Sequence, residues 1–410
     1  MSDLRTVEEH LAEVLAAVEP LDAHAVPLAD ALGRVLREPV RAANDIPAFD
    51  NSAMDGFAVR LADVATATAE TPVTLAVVAD VPAGSALDPA LRAGEAARIM
   101  TGAPMPADAD AIVPFEDTLG GLADSLGTVT VLAAPRAAGA FVRRGGQDAR
   151  VGDVVLDAGT LLGPLQCSAA AASGTASVVV SRRPRVAIVS TGSELVEPGT
   201  PLTRGRIPDS NGILLAALAA EAGAEVVHRG SVDDDGAGLR ASIAAMDDVD
   251  VVVLSGGVSA GAYEVVRIEL ADSMAFVRVA MQPGKPQGFG RLPDGPLLFG
   301  LPGNPVSSAV SFEVFVRPAL RALQGRTDGE RRRLRLPAAV AWTPPAGRRQ
   351  HLPAVIDRAD PARWTVAPSS AGGSGSHLAG GLGRAEAYAI VPAEVESVAV
   401  GDLVDVMLIA

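Results

Sequence analysis

The sequence predicts a multidomain α/β protein: a central doubly wound, mostly parallel sheet domain accompanied by two small β domains. Three observations lead there. Between Arg185 and Leu323, short β-branched runs alternate with helical stretches, the texture of a parallel sheet with crossover helices. From Thr71 to Val131, Val/Ile/Ala runs are broken repeatedly by Pro and Gly, as in a small β domain. Residues 335–410 return to that texture, and 410 residues are enough for roughly two to four domains.

Composition narrows the function classes. The chain is 49% hydrophobic but 3% aromatic, so its cores are built from Ala, Val and Leu. A net charge of −15 argues against nucleic acid and anionic membrane surfaces as partners. It leaves room for an anionic small molecule, which a glycine turn or one placed cation can hold locally. A single cysteine, Cys167, excludes an internal disulfide and any multi-cysteine metal site. The N-terminus lacks a signal-peptide pattern and no apolar run approaches 20 residues, so a soluble, cytoplasmic protein is expected.

Taken in order, Thr6 and Glu9 form a capping box for an amphipathic helix over residues 6–19, with Val7, Leu11, Val14, Leu15 and Val18 on one face. Pro27 to Leu36 suggests a short strand and helix. Ile46 to Val59 sets two Asp, an Asn, a Ser and a Gly around single apolar residues: either a surface turn or a loop displaying a carboxylate. Arg143-Arg144-Gly145-Gly146 suits a solvated turn or an oxyanion. Leu162 to Ala172 reads as helical.

In the sheet domain, Arg185–Ser190 is a strand, Asn211 caps a helix over 212–222, and Glu225–Arg229, Val251–Leu254, Phe276–Ala280 and Leu297–Phe299 are strands. Helices are expected over 239–246 and 306–323, and residues 325–333 form a charged linker. Right-handed crossovers would gather the strand-end loops on one edge, with Glu194, Asp209, Asp234, Asp235, Ser255, Glu264, Lys285 and Asn304. Carboxylates and a lysine together point to a divalent cation with an anionic ligand. The first strand ends in Thr191-Gly192-Ser193-Glu194, without the Gly-x-Gly-x-x-Gly of a nicotinamide enzyme.

Six motifs in one order, Phe49–Gly56, Ile99–Pro104, Ser190–Leu195, Ser255–Ser259, Pro283–Pro286 and Gly300–Ser307, resemble the molybdopterin molybdenumtransferases, the MoeA proteins and the C-terminal domain of gephyrin. The resemblance spans essentially the whole chain. It implies a MogA-like sheet domain (1–20 and 174–327), an elongated α+β segment (21–42 and 140–173), a small β domain (43–139) and a C-terminal β domain (328–410). It also implies insertion of molybdate into adenylylated molybdopterin with Mg²⁺-dependent release of AMP, by a homodimer whose site lies between subunits. A transient contact with the molybdopterin adenylyltransferase belongs to the same picture. Carried over residue by residue, Asp55, Thr101, Asp148 and Glu194 are catalytic; Ser255, Gly256, Gly257, Ser259, Lys285, Pro302, Asn304, Pro305 and Ser376 bind substrate; Asp55, Asp234 and Glu264 hold metal. Two positions depart from the family pattern. Glu264 stands where Asp is common, and Gln282 replaces a Lys, removing one cation expected near the anion. A non-catalytic pterin-binding scaffold and a tungsten-inserting paralogue are the alternatives within the resemblance.

Overall fold

The computed structural model describes residues 4–121, 126–234, 236–258, 264–326, 329–370 and 379–409. Its central sheet has six strands: β1 (Arg185–Thr191), β2 (Glu225–Val232), β3 (Val251–Ser255), β4 (Met274–Arg278), β5 (Pro286–Arg291) and β6 (Leu297–Leu301), in the order β2-β1-β3-β6-β5-β4. β2, β1, β3 and β6 are parallel, and β5 runs antiparallel to both neighbours. β5 is absent from the sequence reading because Pro286, Gly288 and Gly290 disguise it. The two glycines are needed: a Cβ on Gly290 would lie 1.9 Å from the Ser273 carbonyl oxygen.

β3 is buried along its whole length, which is why its sequence is an unbroken apolar run. Helix α1 (Val7–Ala16) packs on one face of this sheet, far from it in sequence, with Val7 and Val14 in the same core as Ile188, Val253 and Phe312. The Thr6–Glu9 capping box forms as expected, while Leu15 turns out partly to solvent. The helix from Pro305 to Leu323 is continuous but carries a π turn at Phe312–Val316. That turn holds buried Glu313, which meets Arg317 and Arg331 at 2.8 and 2.9 Å.

The helix after β1, α2 (Ser210–Glu221), corrects the expected cap. Asp209, not Asn211, is the N-cap, accepting from the Gly212 N–H at 2.9 Å. Asn211 is inside the first turn and donates instead to the Gly303 carbonyl at 2.7 Å.

Strands Gly56–Val59, Val73–Val81, Glu95–Ile99, Ala111–Pro114 and Gly127–Val131 form one five-stranded sheet. Between it and the central sheet lie antiparallel pairs, among them Ala23–Pro27 with Ser177–Ser181 and Asn51–Ser52 with Val142–Arg143. The C-terminal sheet contains Arg333–Pro337, Arg349–Asp357, Ala387–Val391 and Leu403–Leu408, so the expected linker already begins the first of these strands at Arg333. Strand Arg349–Asp357 was hidden by Pro353. The proline is tolerated because one side of the strand changes partner there, from Met281–Gln282 to Thr365–Pro368.

Candidate functional site

β2 lies on one side of β1 and β3 on the other, so the chain leaves β1 and β3 in opposite directions and a crevice opens between them at the carboxyl edge of the parallel strands. Here the structure has a cleft of about 900 Å³. Its floor is Thr191 and Ser255-Gly256-Gly257 at the ends of β1 and β3. Gly256 and Gly257 both have positive φ, and a Cβ on Gly256 would sit 2.6 Å from the Thr191 carbonyl oxygen. The glycines therefore let two strand ends meet closely while leaving backbone open to a ligand.

Beneath the floor, Ser255 Oγ donates to Ser190 Oγ at 3.4 Å, and Ser190 Oγ donates to Asp209 at 2.9 Å. One buried carboxylate thus caps α2 and braces the strand ends. On one wall, the Ser193 N–H donates to Asp234 Oδ2 at 3.1 Å and the Asp234 N–H returns to Ser193 Oγ at 3.2 Å. Opposite stands the Pro283-Gly284-Lys285 turn. The Val279 N–H closes it onto the Lys285 carbonyl at 2.8 Å, and Gln287 Nε2 supports it through the Gly284 carbonyl at 2.6 Å and Ser311 Oγ at 2.7 Å.

Of the residues expected at this edge, Glu194, Asp234, Ser255, Gly256, Gly257, Glu264, Lys285, Pro302, Asn304 and Pro305 line the cleft. Asp209 lines it too. Ser259, Asp235 and Ser376 lie outside the described residues. Asp55, Thr101 and Asp148 do not line it; they are exposed on the small β domain and its junction. There Asp55 Oδ1 accepts from the Thr101 N–H at 2.6 Å and the Thr101 hydroxyl at 2.7 Å, which holds its carboxyl below the usual range. Gly56 behind it allows the strand to pass, since a Cβ would meet the Val113 carbonyl oxygen at 2.1 Å.

The Arg143–Gly146 motif is satisfied internally on the same side. The Gly145 N–H donates to Asp50 at 2.8 Å and Arg144 pairs with that carboxylate at 2.5 Å. The Gly145 amide and then Arg144 hold the Asp50 carboxyl below its ordinary value. An oxyanion there would have to displace Asp50.

Sequence reasoning missed Arg348. It enters the cleft from the C-terminal sheet, with its Nη1 donating to Gln282 Oε1 at 2.6 Å. It belongs to no motif, and its only sequence signal is a pair of arginines after Gly347.

Among the described residues, no group of three or more His, Cys, Asp or Glu could hold a metal by itself. Asp234 and Glu264 both line the cleft, and Mg²⁺ binds through one or two carboxylates plus substrate phosphates rather than in an all-protein cage. Glu194, Asp209, Asp234 and Glu264 share the cleft with Lys285 and Arg348, so the described lining carries four carboxylates against two cations. An anionic ligand entering such a cleft is best accompanied by a divalent cation.

Comparison with known proteins fits this geometry. Family profiles match in chain order: the MoeA N-terminal region (domain I and II) over residues 5–174, a probable molybdopterin binding domain over 187–322, and the MoeA C-terminal region (domain IV) over 335–409. Molybdopterin molybdenumtransferase 2 of Mycobacterium tuberculosis is 43% identical over 410 residues, covering 97% of this chain and 98% of that protein. The chain belongs to the molybdopterin molybdenumtransferase family. The molybdopterin molybdenumtransferase of a Nostoc species is 43% identical over 314 residues, covering 75% of this chain and 71% of that one. The crystal structure of a molybdopterin biosynthesis MoeA protein from Pyrococcus horikoshii superposes with a TM-score of 0.80 at 32% identity, covering 99% of both chains. Among the described residues no helix is long and apolar enough to cross a membrane. In this family member, the cleft falls within and beside the segment matching the molybdopterin binding domain, and Arg348 comes from the C-terminal region.

Proposed function

We propose that this chain inserts molybdenum into molybdopterin, taking the adenylylated pterin and molybdate and releasing AMP. The observation that carries the proposal is the switch-point cleft, where Lys285 and Arg348 face a glycine-turn floor across a rim of carboxylates. Lys285 and Arg348 hold the oxyanion end of the ligand, and the open amides of the Ser255-Gly256-Gly257 turn receive phosphate or molybdate oxygens. Asp234 and Glu264, with ligand phosphate oxygens, would hold Mg²⁺, which supplies charge neutralisation at the pyrophosphate. Ser193 fixes the Asp234 loop, and Asn211 fixes the Pro302-Gly303-Asn304 turn that closes the far end.

Asp55, ionised and held by Thr101, reaches the cleft from a second copy of the chain, so the working enzyme is a homodimer. Leu32, Leu161 and Leu165 support this reading. They lie exposed around one joint of the connecting segment, where the Gly33 N–H meets the Leu162 carbonyl, and Leu165 is 80% exposed. Asp148 and the substrate contacts of Ser259 and Ser376 belong to the same proposal. So do the cytoplasmic location and the handover of the pterin from its adenylyltransferase.

The test is AMP release from adenylylated molybdopterin by the pure protein with Mg²⁺, with and without molybdate. Molybdate-dependent release with active cofactor formed supports the proposal. Tight pterin binding without turnover would replace it with a carrier role, and absence of binding would end it.

A further inference from the structure

The residue at 282 would ordinarily be read as a loss: a neutral amide where the resemblance expects a cation. The structure gives it a partner. Arg348 Nη1 donates to Gln282 Oε1 at 2.6 Å, and both side chains line the cleft.

The backbone fixes this contact from two sides. Met281 and Gln282 pair in parallel register with Arg349 and Gln350, and the Arg349 N–H donates to the Ala280 carbonyl at 2.9 Å. On the other side, the Arg5 N–H donates to the Arg278 carbonyl at 2.9 Å and the Ala280 N–H to the Arg5 carbonyl at 2.8 Å. The segment leading to Lys285 is therefore clamped between the N-terminus and the C-terminal sheet.

The consecutive arginines then diverge. Arg349 pairs with Glu8 at 2.6 Å. Arg317 and Arg331 likewise end on Glu313. Arg348 differs from them: among the described residues it forms no ion pair, and its hydrogen bond is to an uncharged amide oxygen. A carboxylate holding Arg348 would cancel its charge towards a third group, whereas an amide oxygen fixes the guanidinium and leaves its charge available.

We propose that Gln282 is a positioning residue that holds Arg348 in the cleft without neutralising it, so that the C-terminal domain delivers a second cation to an oxyanion also held by Lys285. The inference rests on the anion-binding reading of the cleft. It makes the departure at position 282 an exchange of a local cation for one imported from another domain.

The test is molybdate binding to the full-length protein by calorimetry, with melting temperature recorded for each variant. Gln282→Met removes the acceptor without adding charge. It is expected to weaken molybdate roughly ten-fold, the size associated with a charge-assisted hydrogen bond, at an unchanged melting temperature. Arg348→Ala should weaken it equally, and the double variant should be no worse than either single one. Gln282→Glu should hold Arg348 at least as firmly, keep or raise the melting temperature, and still weaken molybdate. Additive losses in the double variant, or Gln282→Met within two-fold of the native affinity while Arg348→Ala and Lys285→Met both bind poorly, would overturn the role of Gln282 alone. Native affinity in Arg348→Ala and Lys285→Met would overturn the reading of the cleft with it.

Discussion

The cleft and the Asp55 ledge are both polar, yet they are built in opposite ways. The cleft is concave, floored by glycine turns and drawn from loops that follow several strands and from two domains. The ledge is exposed and local: a carboxylate held by one threonine beside a five-stranded sheet. The cleft has what is needed to bind and orient an anion, while the ledge has an ionised group but no enclosure. Neither looks sufficient alone, and the separation of binding from reaction can be tested by breaking each half.

The largest effect is expected at the ledge. Asp55→Asn should lower turnover at least about a hundred-fold while leaving molybdate affinity and melting temperature unchanged, as for loss of a group that acts in the reaction rather than in binding. Single-turnover AMP release beside calorimetry separates the two, and equal loss of binding would merge the two regions into one site. At the cleft, Lys285→Met should do the converse, weakening molybdate by roughly 10- to 100-fold as a charged hydrogen-bond partner is lost. A change in turnover at saturating ligand, with affinity preserved, would contradict that division.

A third comparison is structural. Gly56→Ala drives a Cβ towards the Val113 carbonyl oxygen, now 2.1 Å from its ideal position, and should cost at least about 1–3 kcal/mol in denaturant unfolding. Its damage should stay on the ledge side, so molybdate affinity should survive in the folded fraction.

The smallest effect concerns pH. His351 is buried with an unpartnered Nδ1 where α1, the long helix and the C-terminal sheet meet, and His10 is buried on α1 with its Nδ1 3.8 Å from Glu13. Burial pushes them down, to about 4 and about 3. His351 faces Arg349, Arg333 and Glu8; His10 faces Glu13 and Arg5 and packs on Phe289 and Phe315. Their folded-state pKa values are depressed, so the unfolded chain binds more protons between about 6.5 and 4. Stability is full above that window and declines as pH falls through it, by on the order of 1–3 kcal/mol. Asp55, itself held low, stays ionised over most of that window. Melting curves from pH 7 to 4.5 should show this loss, and His351→Gln should reduce it, leaving the share that belongs to His10. A flat native profile would contradict the buried neutral state.

The family match places the chain among the molybdopterin molybdenumtransferases and sets aside a nicotinamide enzyme, and particular residues show why the sequence reached so far. β3 declared itself because burial on both faces demands an apolar run, and its glycine turn because only glycine fits beside Thr191. The Thr6–Glu9 box was readable because a cap is a contact three residues long. The cap on α2 was misassigned because Asp209 and Asn211 both suit the position, and only the place of Gly303 decided between them. β5 and Arg349–Asp357 escaped because glycine and proline were accommodated by neighbours distant in sequence.

The sequence by itself determined the order of the motifs, the doubly wound sheet and the loops that meet at its carboxyl edge, since periodicity and turn chemistry are local. Tertiary structure alone decided that Asp55 stands apart from the cleft, that Asp50 occupies the Arg144-Gly145 turn, and that Arg348 arrives beside Gln282. Those outcomes depend on which surfaces pack together and which charges thereby meet, and nothing in the spacing of residues along the chain encodes a contact across 66 positions such as Gln282 with Arg348.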